Sequence, residues 1–258
     1  MAKAVSISVP RMTALGRAEF ILLGRNKMGL YVALLMPVMM VWAMRRAIGE
    51  VDLGEAGMSV NEVALTGAFG YILLFAVYQH LVSAYVARRE ELVLKRLRTG
   101  ETHDAEILTG TALPAVAVAV AQCVLLVVAG VLWLDLRAVS RPDLMAAGIV
   151  LGVAMSIALA AVTASWAKTV QGSQLVTTPL VLISVAGSGL MVPLEAMPDT
   201  MADICSVLPL TPVIQLVRGG WLGGMSAHEA GGAILTGIAW TIVAAYGAKR
   251  WFRWEPRR

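Results

Sequence analysis

Six long apolar runs, separated by shorter polar stretches, dominate the pattern of the chain. They fall at 28–48, 63–86, 108–134, 144–167, 175–192 and 229–248. Runs of roughly 20 residues are long enough to cross about 30 Å of hydrocarbon as helices. A span isolated in lipid must satisfy its own backbone hydrogen bonds, which favours helices. The alternation of barrel strands is absent. The pattern predicts an all-α integral membrane protein with six transmembrane helices, a six-span domain over 28–248. Pro37 lies in the middle of the first run, where it removes a backbone donor and is expected to kink the helix.

The polar stretches differ in kind. Residues 1–27 carry Met12, Leu15, Glu19, Leu22 and Leu23 at helical spacing after Pro10, with Arg17, Arg25 and Lys27 able to reach anionic headgroups. This reads as a cytoplasmic amphipathic interfacial helix, against the alternative of a solvated leader that only fixes topology. The arm is too long for the n-region of a signal peptide, so none is expected. Residues 87–107 mix both charge signs with Leu92, Leu94, Leu97 and Ile107. That is the composition of a docking surface, although a solvated loop with pairs such as Glu91 to Lys95 would look similar. Residues 193–224 are half apolar. Asp199 is expected to cap one short helix running to Leu208, with Met201, Ile204, Cys205 and Leu208 on one face. Thr211 is expected to cap another, with Pro212 first and Gly219-Gly220 as the stop. Helices this short cannot span, so extracellular re-entrant or interfacial helices are expected between spans five and six. The fourth run carries Gly148, Gly152, Ser156, Ala160 and Ala164, a stripe that permits close helix approach within the subunit or across a dimer.

Composition supports the pattern. The 258 residues are 58% hydrophobic, with mean hydropathy +0.74, where soluble domains hold about 45–50% apolar residues. The net charge of +4 says less than the placement of Lys and Arg. With the N-terminus inside, 16 of the 21 lie on the cytoplasmic side: the arm, 87–107, Lys168 and the basic tail 249–258. Only Arg45, Arg46, Arg137, Arg141 and Arg218 lie outside. Both termini are therefore expected in the cytoplasm. Cys123 and Cys205 are not expected to pair. No glycine-rich phosphate loop is present, so any ATP would bind another chain. His80, His103 and His228 lack ligand spacing, and no metal is expected. An intramembrane serine protease would need more than Gly187-Ser188-Gly189 and a distant His80. No catalytic residues are assigned, and nothing calls for nucleic acid.

With these features in place, the chain resembles type 2 ABC transporter permeases, the transmembrane subunits of ATP-driven exporters. The amphipathic arm before a proline-bearing first span is one point of likeness. Arg88-Arg-Glu-Glu-Leu-Val-Leu-Lys-Arg-Leu-Arg-Thr-Gly100 resembles the family's charged stretch after span two, with Gly100 where proline is usual and Leu92-Val93 in place of Gly-Thr. The most specific likeness is Ser188-Gly-Leu-Met-Val-Pro-Leu-Glu-Ala-Met-Pro198 followed by Leu208-Pro-Leu-Thr-Pro212.

The resemblance implies a dimer of permeases, of this chain or with a related one, over two ABC-type ATPase subunits that bind ATP and Mg. It makes 87–107 the ATPase-coupling segment, through Glu90, Glu91, Lys95, Arg96, Leu97, Arg98, Glu101, His103, Asp104 and Ile107. It suggests a substrate path along spans two and five, near Phe69, Phe75, Tyr78, Gln79, His80, Ser184, Ser188 and Met191. Packing roles remain open for these residues. The hairpin 193–224 would form an extracellular gate with Pro193, Met197, Pro198, Pro209 and Pro212. The chain is expected to lack ATPase activity of its own. It looks closest to daunorubicin-type resistance permeases of a bacterial plasma membrane, exporting a hydrophobic or amphipathic small molecule. Export of polysaccharide, teichoic acid or lipid-linked glycan is the alternative, and a non-transport membrane sensor or binding protein the other class.

Overall fold

The computed structural model describes residues 27–48, 57–92, 104–134, 136–252 and 254. The interfacial helix expected before Lys27 and the middle of the charged segment, 93–103, lie outside these residues.

Among the described residues the protein is helical, with no strand. Helix α1 is Lys27–Ile48 and runs unbroken through Pro37. Val60–Glu90 is one 31-residue element. Within it, α2 (Val60–Tyr71) passes into a π-helical stretch, Ile72–Gln79, and then into α3 (His80–Glu90). Next come α4 (Asp104–Trp133), α5 (Pro142–Ala164) and α6 (Val170–Gly187). Two short helices follow, α7 (Asp199–Ser206) and α8 (Thr211–Leu222), and α9 (Ala227–Trp251) is last. Five of these elements are long and apolar enough to cross a membrane: Val60–Glu90, α4, α5, α6 and α9. The pair α7–α8, bent by 103°, raises the number to six if it is counted as one span.

Local chemistry sets the element ends. Ser59 and Glu62 form a reciprocal capping box at the start of α2, and Ser226 and Glu229 do the same for α9. Thr169 caps α6 by accepting from the Gly172 amide. Helix α6 therefore begins at Val170 and ends at Gly187, displaced toward the N-terminus from the run 175–192. Gly189, with φ +74, then turns the chain sharply. Two expected caps are corrected. Asp199 and Thr211 are each the first residue of a helix, behind Pro198 and Leu210. The Thr211 hydroxyl instead donates backward to the Cys205 carbonyl at 2.6 Å, tying α8 to α7. Helix α8 also runs past Gly219-Gly220 to Leu222, where Gly223 at φ +80 ends it.

The small-residue stripe of α5 is spent inside the subunit. A methyl group at Gly148 would press on Leu216 and Val217 of α8, and one at Gly152 on Leu73 and Val213. Ser156, Ala160 and Ala164 are buried in the same seam. Without a hydrophobic gradient between lipid and helix, close packing of this kind is what holds such a bundle. Helix α8 is the central wedge: Val213, Ile214, Leu216, Val217 and Trp221 are all buried.

Candidate functional site

Two ends of the bundle carry the chemistry. At one end, α3 delivers Arg89 into the protein, 1% exposed. Its Nη1 donates to the Ala164 carbonyl at 2.9 Å and its Nη2 to the Ala167 carbonyl. These carbonyls belong to the last turn of α5 and the residues just beyond it. They have no helical partner of their own, and their negative dipole end favours a cation. One turn earlier, the Tyr85 hydroxyl donates to the Leu108 carbonyl of α4 at 2.9 Å. Phe252 packs edge-on against Tyr85 and against Trp254, whose ring lies over Ile107. The ends of α3, α4, α5 and α9 thus close into one cluster around the opening of the charged segment.

The expected coupling residues fall unevenly here. Glu90 and Glu91 are exposed at the end of α3, and Asp104 is exposed at the start of α4. Ile107 is fully buried under Trp254 and Phe252, so it packs rather than faces outward. Lys95, Arg96, Leu97, Arg98, Glu101 and His103 lie outside the described residues. Leu92, where the chain leaves α3, has φ 60 and is exposed.

Just inside the Arg89 end, the first turns of α6 are zipped to the π-helical stretch and α3 by polar side chains. Gln79 Nε2 donates to Gln174 Oε1 at 2.5 Å, and Ser83 and Ser173 hydroxyls lie 3.1 Å apart. Gln174 Nε2 also reaches Ser83 at 3.4 Å. Tyr78 bonds Thr163 of α5 at 3.1 Å. His80 is exposed, and Phe75 is half-buried beside Tyr71, on which it stacks. Phe69 is fully buried and packs toward Trp221, away from α6. Ser184 and Ser188 are buried at the far end of α6, and Met191 is half-buried. Gln79 is therefore brought together with α6, whereas Phe69 is not.

At the other end sits Arg218 on α8, 6% exposed. Its Nη2 donates to the Gly189 carbonyl at 2.6 Å and its Nε to Thr66 at 3.4 Å. The turn after α6 is thereby held against α2. Gly67 makes this possible, because a Cβ there would run into the Leu190 carbonyl oxygen. Trp240 of α9 donates to the Val207 carbonyl at 2.9 Å and fixes the end of α7. The loop before α5 joins the same end, with Arg141 N to Gly220 O at 2.8 Å. Of the expected gate residues, Pro193, Pro209 and Pro212 are buried, Met197 is half-buried and Pro198 is exposed.

Neither buried arginine stood out in the sequence, where both counted only toward charge placement. Phe252 and Trp254, hidden in a basic tail, were equally silent. An aromatic pair directly after a last apolar run is the signal that would have found them.

A bundle of long apolar helices, bound by small-residue seams and closed at both ends by buried arginines, is a multi-pass membrane protein. It belongs to the ABC-2 type transporter family, whose model matches residues 10–222. It is thus a membrane permease of the ABC-2 transporter superfamily, whose members typically lack ATPase activity of their own and pair with an ABC-type ATPase. No curated protein matches the chain. Among the described residues, no group of His, Cys, Asp and Glu is arranged to hold a metal ion.

Proposed function

We propose that the chain is the membrane-spanning subunit of a bacterial exporter that expels a hydrophobic or amphipathic small molecule, such as an antibiotic or other drug. The family match over 10–222 supports the permease part of this reading, and the apolar, aromatic-bearing spans with short outer loops favour a hydrophobic or amphipathic small molecule. Two permease chains would sit over two ATPase subunits, which bind ATP and Mg. Helix α1 is the first of six spans, and α7–α8 is a re-entrant pair. The Arg89 end faces the cytoplasm, because most Lys and Arg collect with it.

The mechanism follows from the two ends. Closure of the ATPase dimer pushes on 87–107, where Glu90, Glu91 and Asp104 are exposed. Charge-complementary contact of this kind fixes register and orientation more than raw affinity. Arg89 and Tyr85 pass the push to α5 and α4 through hydrogen bonds to backbone carbonyls, which do not stretch as side-chain packing can. Helix α6 is tethered just before and just after its ends by Arg89 and Arg218 but held to α3 by exchangeable polar pairs, and is the element that shifts when those ends move. Its movement opens the path beside Gln79 and His80, and the substrate leaves at the Arg218 end.

Co-purification tests the reading. The tagged chain is expressed with its neighbouring genes, solubilised gently and analysed for what accompanies it. A P-loop ATPase should accompany the native chain and be lost with Arg96→Glu combined with Leu97→Asp. Drug-stimulated ATP hydrolysis by that complex should follow. If no ATPase associates under any condition, the exporter reading fails.

A further inference from the structure

A cavity of about 630 Å3 opens between α8 and α9, walled by Glu195, Val207, Gln215, Arg218, Glu229 and Thr236 among others. Its volume falls in the range of about 300–1,000 Å3 that holds drug-sized ligands. It lies at the Arg218 end, within one subunit, apart from the α3–α6 zipper.

Its polar groups are unequal. Arg218 spends Nη2 and Nε on Gly189 and Thr66. Its Nη1 has no acceptor in hydrogen-bond range among the described residues. The nearest partner is Glu195 Oε2 at 4.0 Å. Arg218 Nη1 faces the cavity, where a ligand acceptor could take its N–H. Among the described residues the walls set two carboxylates, Glu195 and Glu229, against Arg218. On these residues the cavity carries one excess negative charge, which favours an occupant that brings positive charge as well as an acceptor. Val207, Pro212, Leu222 and Met225 supply an apolar side.

We propose that this cavity binds a small amphiphile bearing a protonated amine and a hydrogen-bond acceptor, with the acceptor on Arg218 and the amine toward Glu195 and Glu229. The proposal deepens the exporter reading, on which it rests for the idea that the occupant is in transit. An ethanolamine headgroup of a bilayer lipid has the same chemistry and is the other source.

Monodansylcadaverine, a fluorescent amphiphile with a primary amine and a sulfonyl acceptor, is a suitable probe. The full chain, purified into phosphatidylcholine nanodiscs, is titrated with it by anisotropy, without any ATPase. Saturable binding is expected. Glu195→Gln and Gly232→Leu should each weaken it about tenfold or more, the scale of losing one charge-assisted contact. A Cβ at Gly232 meets nothing within 4 Å, so this wall has room for a side chain to start from, and a thermal unfolding midpoint equal to that of the native chain checks that the variant is folded. Gly232→Leu keeps the test independent of an Arg218 variant, whose loss would also release the turn at Gly189. Competition by added phosphatidylethanolamine identifies the lipid as the occupant, and its absence favours an exported amphiphile. Failure of the native chain to bind saturably, or equal binding by Gly232→Leu, overturns the proposal. Because no ATPase is present, neither result depends on whether one associates with the chain.

Discussion

The two buried arginines do opposite things with the same side chain. Arg89 forks onto two carbonyls at the end of one helix, Ala164 and Ala167, and closes the bundle around them. Arg218 divides its bonds between a turn and a threonine, and leaves Nη1 beside a cavity with a carboxylate 4.0 Å away. Burial of an arginine is therefore not by itself a sign of a ligand. What separates clamp from site is whether the donors meet fixed backbone acceptors or face open volume.

The sharpest way to break the comparison is at the clamp. Arg89→Ala leaves two buried carbonyls without donors and should cost about 2–4 kcal/mol. The loss would be read as a fall in the thermal unfolding midpoint of the solubilised protein, followed by size exclusion. Arg89→Lys should recover only part of it, because an ammonium cannot fork onto two carbonyls as a guanidinium does. Full recovery by lysine would show that charge alone matters there and would undo the distinction drawn between the two ends.

The Arg218 end can be tested with paired glycines. Gly67 lies flush against the Leu190 carbonyl, whereas Gly232 faces open space. Gly67→Ala should destabilise by about 1–3 kcal/mol, the scale of overpacking. Gly232→Ala, inside α9 with room for its methyl, should instead stabilise by roughly 0.5–1 kcal/mol. If both variants melt alike, the tight turn and the open cavity are not the separate features described here.

Much of this was legible in the sequence, and the exceptions have physical reasons. The apolar runs located the long helices because lipid tolerates little else. The start of α6 was missed because Gln171, Ser173 and Gln174 look like a loop. In the structure, Ser173 and Gln174 are satisfied by Ser83 and Gln79, some 90 positions away in the chain, and no local pattern records such pairs. The π-helical stretch Ile72–Gln79 has the composition of any apolar helix, so nothing marked it. Thr211 carried the sequence mark of an N-cap, yet its hydroxyl serves the preceding helix instead. The two short helices α7 and α8 were legible, because Pro198 and Pro212 each stand at the start of a short half-apolar stretch.

The α3–α6 zipper, beside the Arg89 end, sets exchangeable side-chain pairs against a clamp on backbone carbonyls. A double-mutant cycle of Gln79→Leu and Gln174→Leu should give a coupling energy of about 0.6 kcal/mol and no more than about 1.7, as measured for polar pairs between membrane helices. Folding stability would report it. A coupling energy as large as the loss expected for Arg89→Ala would make the zipper a third clamp, and α6 could not be the element that shifts.

Leu92 offers the smallest effect and the subtlest one. It ends α3 in the left-handed region, at φ 60, where a side chain clashes and glycine does not. Helices commonly stop on glycine in this conformation. The strained residue stands directly after Glu91, where the charged segment leaves the Arg89 clamp. Leu92→Gly should raise stability by roughly 0.5 kcal/mol, because relief of the clash slightly exceeds the added freedom of the unfolded chain. If the strain serves only to end the helix, drug-stimulated ATP hydrolysis of the assembled complex should not change. If the leucine instead holds the segment at a set angle for docking, stimulation should fall while stability rises. A drop in stability would contradict both accounts, since it would mean that the exposed leucine side chain contributes packing that outweighs its backbone strain.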